Sequence, residues 1–276
     1  MLSSNQIVSN WARFLDIIEN NLSPERAKIL IPFYQKYEDR FSMMPSSERD
    51  WKNSAYSGGY IDHILRVYDI ILDANSLWIK NGASASFTQE EMIFAALHFD
   101  LGKFGTLEDE YYILNDSQWH VKNLGMIYKY NEKVPAVKNN ERGLFLLQSL
   151  GINLSFEEYM AIKLCDGLYD DANKFYFYAA QKETKIKSYL PFLLHHSISQ
   201  ASQIEFQKWL GMDVAENFKQ SIINEPLPKD FDKEQKIKTK PASKAYKTQR
   251  ISSLESVKNN TQISSKTLDI INNMFN

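Results

Sequence analysis

The feature that most constrains the fold is a set of helix-start signals, each followed by apolar residues spaced three and four apart. In "FTQEEM", Thr88 and Glu91 form a capping box, and Phe87 and Met92 stand where a hydrophobic staple closes over it. "LSFEEY" repeats the device with Ser155 and Glu158, flanked by Leu154 and Tyr159. "LSPER" offers Ser23 as a cap, with Pro24 at the first helical position, where a missing N–H costs nothing. The runs that follow, such as "MIFAAL" and "YMAIKL", have helical spacing. Alternating stretches such as "KFYFYAA" are few and isolated. The expectation is an all-α globule.

Composition changes along the chain. Up to Glu225 there are 22 Lys and Arg against 29 Asp and Glu, a balance of −7; from Pro226 onward there are 10 against 5, a balance of +5. An acidic body is a poor general nucleic-acid surface, whereas the basic tail offers weak contact to nucleic acid or to an acidic partner. A run of lysines also reads plainly as a solvated linker. Residues 226–263, including "PLPKDFDKEQKIKTKPASKAYKTQR", carry prolines and lysines and few large apolar residues, so they cannot bury enough surface to fold alone. Apolar residues return in 264–276, "SSKTLDIINNMFN", where Leu268, Ile271, Met274 and Phe275 share one helical face by spacing. That segment either packs back on the body or docks into a partner from a tether. The expected organisation is therefore a body over 1–225, a basic linker over 226–263 and a docking segment over 264–276.

One cysteine, Cys165, excludes an internal disulfide and suits a reducing compartment. The N-terminus lacks the basic head and apolar run of a secretory signal, and no apolar run approaches the roughly 20 residues that cross a bilayer. These features predict a cytoplasmic protein without membrane contact. No Walker-type or dinucleotide-type glycine loop is present, nor a Gly-x-Ser-x-Gly elbow. Cys165 has no histidine near it in sequence, and a buried structural role is the commoner one for such a residue. The aromatics of "KFYFYAAQ" and "MIYKYNEK" could stack bases, but at 13% aromatic content core packing is the plainer reading.

Four stretches, in order, resemble the HD-domain superfamily of metal-dependent phosphohydrolases: "NSAYSGGYIDHILRV", "AALHFDLGKFG", "KNNERGLFLLQSLGINLSFEEYMAIKLCDGLYDDANK" and "LPFLLHHSISQASQIE". They cover about residues 50 to 210. The resemblance implies an all-α fold with a metal pocket among helix ends. The family's first histidine matches His63, and its His-Asp pair falls on Phe99 and Asp100. The two further histidines of binuclear members fall near Asn140 and on Cys165. The final aspartate falls on Ile198, or on Ser197 or Ser199 in a shifted register. A phenyl ring offers no lone pair, so His63 and Asp100 read as a vestigial pair, with Lys103 or His63 available to hold Asp100 by hydrogen bonding. His98, His195 and His196 are the candidates for a rearranged metal site, with Asp166 a further oxygen donor. His98 and Asp100 lie about 200° apart on a continuous helix, so they converge only if the helix breaks.

Two functional readings follow. In the first, a catalytically degenerate HD-like domain acts by binding, needs no cofactor and meets a protein partner through its C-terminal segment. "LDIINNMF" loosely resembles the peptides that phage replication and transcription proteins insert into sliding clamps, which points to a clamp-like or polymerase-associated partner and fits a phage origin. In the alternative, the chain is a phosphohydrolase of nucleotides or nucleic-acid ends. Mn²⁺ or Mg²⁺ would then be held by His63 and Asp100 and completed by His98, His195 or His196, with Asp100, Lys103 and His98 as the catalytic candidates. "AYSGGYIDH" also resembles the family's 3′-to-5′ exoribonuclease branch, except that Asn53 and Ser54 stand in place of that branch's His pair.

Overall fold

The structure is a computed structural model that describes residues 2–52, 54–179 and 181–211. The expected boundary at 225, the linker and the end segment with Leu268, Ile271, Met274 and Phe275 lie outside the described residues. The described part of the first of two compact units ends at Phe206; of the second, only Gln207–Gly211 are described.

Helix α1 (Ser4–Asn21) opens on a capping box between Ser3 and Gln6 and buries Ile7, Trp11, Phe14, Leu15 and Ile18 along one stripe. It packs against α2 (Pro24–Lys36) and α4 (Gly59–Lys80), with the short α3 (Glu38–Met43) between them. Helix α5 (Gln89–His98) is buried from Met92 through His98, so it has no solvent face and lies inside the core. It packs on α4 and on α8 (Phe156–Lys163). Rings of Phe33, Tyr34, Phe41 and Phe104 meet edge-on or stacked at 4.7–5.6 Å and close the α2–α3 side.

Both expected capping boxes form, Thr88 with Glu91 and Ser155 with Glu158. Glu158 does more than cap. It is fully buried and receives both terminal nitrogens of Arg26, which ties α2 to the start of α8. Tyr159, placed as a staple partner, is instead 42% exposed. Ser23 stands at the start of α2 with Pro24 behind it, but its side chain makes no cap bond; its N–H donates to Glu90 Oε1 at 3.0 Å instead.

The described residues are mostly helical, as expected, with one addition. Strands β1 (Tyr112–Leu114) and β2 (Tyr128–Tyr130) pair antiparallel around α6 (Gln118–Leu124). β2 lies in "MIYKYNEK", whereas "KFYFYAA" forms the single-turn helix α9 (Lys174–Phe177). The last elements are α7 (Asn139–Ser149) and α10 (Leu190–Trp209). No helix among the described residues is long and apolar enough to cross a membrane.

Candidate functional site

Asp100 stands where α5 stops. The helix ends at His98, the chain turns through Phe99 and Asp100, and a 3₁₀ turn follows over Leu101–Phe104. Gly102 makes this break possible, because a Cβ there would lie 1.9 Å from the Asn139 carbonyl oxygen. The turn thus sits directly against the start of α7. Arg142 latches it by donating to the carbonyls of Gly102, Pro135 and Val137. Asn140, near which the HD resemblance would put a ligand, donates its amide to the Lys163 carbonyl at 2.8 Å and so joins α7 to α8.

The Asp100 carboxylate is 7% exposed, and Lys103 Nζ lies 2.5 Å from its Oδ2. This is an ion pair whose direction does not meet hydrogen-bond geometry, and Oδ2 has no other partner among the described residues. The charge of Asp100 reaches its neighbours. Burial, then Asp100, hold the Asp166 carboxyl above its usual range, while Lys103 and His195 oppose them. Burial, then Asp166 and Asp100, push the Cys165 thiol well up, which leaves it an inert thiol rather than a nucleophile.

His63 belongs to a different group. Gly58, at φ +80°, and Gly59, whose Cβ would lie 1.8 Å from the Ser54 carbonyl oxygen, fold the chain tightly into α4. The first turns of α4 then present Asp62, His63 and Arg66. His63 Nδ1 lies 2.9 and 3.1 Å from the two oxygens of Glu205 on α10. Arg66 bridges Glu205, at 3.0 Å, to Asp62, at 2.9 Å, and Asp62 also accepts from Tyr56 and Asn10. Burial raises the Glu205 carboxyl, but His63 and Arg66 outweigh it and hold it below its usual range. The other ring nitrogen of His63, Nε2, is buried and has no hydrogen-bond partner among the described residues. The ring beside it belongs to Phe99, edge-on with centroids 5.9 Å apart.

His98 does not join Asp100, although the helix breaks where a rescue required it. Its Nδ1 donates to the Phe94 carbonyl at 2.8 Å and its ring stacks on Phe94 at 4.2 Å. Burial pulls its pKa down to about 4, so the imidazole is neutral. His195 Nδ1 donates to the Cys165 carbonyl at 2.8 Å. His196 is exposed and its ring centroid lies 5.8 Å from that of His195. At the position of the family's final aspartate, Ile198 packs against the core, and Ser197 and Ser199 donate to the carbonyls four residues back.

The predicted residues therefore separate into four places. Asp100 and Lys103 pair; His63 turns to Glu205; His98 is buried at the end of α5; His195 and His196 stand on α10. Among the described residues no group of three or more His, Cys, Asp or Glu is placed to hold a metal ion. The donor set does not fit the divalent centre that the HD resemblance implies. Sequence reasoning missed Glu205, Arg66, Asp62 and Tyr56. The available signal was a carboxylate between Ile204 and Phe206 and the i,i+4 pair in "DHILR". Compared with protein-family models, with curated proteins and with solved structures, the chain matches none.

Proposed function

We propose that this protein works by binding: a helical body on an HD-like plan in which side-chain pairs stand where a cation centre would be, carried to a protein partner by its C-terminal segment. The observation that carries the reading is the ammonium of Lys103 on the buried carboxylate of Asp100. A cation already supplied by the chain neutralises that carboxylate, and a second positive charge there has too few donors to offset its desolvation. Phe99 beside His63 supports the same reading, since an apolar ring adjoins the one imidazole the motif retains.

The partner class comes from the sequence. The face of Leu268, Ile271, Met274 and Phe275 suits an apolar groove of the kind a sliding clamp or polymerase-associated protein presents. The basic stretch before it supplies reach and weak nucleic-acid contact.

The test has two arms. Hydrolysis assays on nucleotide pools with Mn²⁺ or Mg²⁺ should show no turnover above buffer; turnover abolished by Asp100→Ala contradicts the binding reading. Deleting Ser264–Asn276 should remove capture by a purified sliding clamp while leaving the thermal midpoint of the body unchanged. A melted body instead makes the segment part of the core.

A further inference from the structure

On the far side of the Asp166 turn lies an open cavity of about 430 Å³, within the size range of small-molecule sites. Four aromatic rings (Tyr169, Phe177, Tyr178 and Phe192) and the imidazoles of His195 and His196 line it. Two walls are braced: Phe177 meets Phe192 edge-on at 4.9 Å and His195 at 6.4 Å. The other rings are offered to solvent, Tyr169 being 92% exposed and Tyr178 68%. Together with Phe175, also 68% exposed, they show that the "KFYFY" aromatics are not the core residues the sequence suggested.

His195 is set in place. Its ring lies over Gly167, where a Cβ would come within 2.3 Å of Cε1, and Gly167 itself has φ +55°. Because its Nδ1–H is given to the Cys165 carbonyl, Nε2 is the ring nitrogen left for a ligand, on a residue that lines the cavity. Burial, then the neighbouring His195, push the pKa of His196 down and favour its neutral form. Asp166, which interacts electrostatically with His195, makes no salt bridge among the described residues, whereas Asp170 is paired with Lys138 at 2.6 Å.

We propose that this cavity is a binding site for an uncharged nucleoside, its base stacked among Tyr169, Phe177 and Tyr178 with a base N–H donating to Nε2 of His195. Aromatic faces take any planar heterocycle, and stacking on them is worth roughly 1–3 kcal/mol per base. The fixed acceptor selects rings that carry an N–H donor. The Asp166 carboxylate, within electrostatic reach of the lining residue His195, disfavours a phosphate and so separates nucleoside from nucleotide. The proposal goes beyond the binding reading and depends neither on the C-terminal segment nor on Asp100.

Calorimetric titration of the full chain in the presence of chelator tests it, with adenosine, AMP, ribose and a 264–276 peptide as probes. Adenosine should saturate one site with a Kd below about 1 mM and bind more tightly than AMP, with ribose silent. Tyr178→Ala should weaken adenosine at least about tenfold. Tyr169→Ala, at a side chain too exposed to matter for folding, should weaken it as well. Absence of saturation, tighter binding of AMP, unchanged affinity in both variants, or occupation of the site by the peptide in place of adenosine each overturns the proposal. Failure here leaves the hydrolysis result untouched. Metal-dependent turnover would remove the pseudoenzyme reading while binding in chelator stood.

Discussion

His63 and His195 make a matched pair with opposite surroundings. Each commits Nδ1 to an oxygen elsewhere in the chain, Glu205 for one and the Cys165 carbonyl for the other, which leaves Nε2 as the uncommitted nitrogen. For His63 that nitrogen is fully buried, with Phe99 alongside and a salt-bridged network behind it. His195 instead stands on the wall of an open aromatic cavity. Anchoring one nitrogen of an imidazole is thus common to a structural and a ligand-competent histidine. Access and the surrounding donors decide which it becomes.

The strongest way to break the comparison is Glu205→Ala. It removes the acceptor from a buried His63 and from Arg66, and should cost roughly 3–5 kcal/mol in urea unfolding. A loss under about 1 kcal/mol would mean that the His63 side is not structural. Next is acid. The folded-state pKa of His98, about 4, lies below the ordinary 6.5. The unfolded chain therefore takes up the proton first. The contribution is complete above pH 6.5 and is lost as pH falls toward 4, on the order of 3 kcal/mol in all. Urea midpoints at pH 7 and 4.5 should diverge for the parent and converge in His98→Phe.

Gly167→Ala sharpens the His195 side. A Cβ pressed on the imidazole face should cost about 1–3 kcal/mol and free His195 from the Cys165 carbonyl, readable as a change in the tautomer-sensitive nitrogen shifts of that ring. An unmoved His195 signal contradicts the anchoring. Smallest is Tyr169→Ala, expected to leave stability within about 0.5 kcal/mol. A larger loss would make the aromatic rim part of the core after all.

What could be read from the sequence was local. The Thr88 and Ser155 boxes close over three residues, and the Asp100–Lys103 pair spans one turn, so neither needs knowledge of the fold. The Phe99 substitution was visible because it interrupts a short motif. Glu205 was not visible, because 142 residues separate it from His63 and only the packing of α10 against α4 brings them together. Ser23 failed for the same reason: Glu90, 67 residues away, accepts from its backbone N–H. The three-residue pairing of β1 and β2 is too short to impose a period-two pattern. "KFYFY" has a composition that suits core or surface equally, and only the cavity beside α10 decides between them.

The central claim is that the Asp100 carboxylate already has its cation in Lys103. The most direct measurement is metal stoichiometry by elemental analysis after equilibrating the full chain with Mn²⁺ or Zn²⁺ and removing free ion. The parent should hold far less than one ion per chain, with no gain on removing the carboxylate in Asp100→Asn. One ion per chain, lost in Asp100→Asn and in His63→Ala, would contradict it.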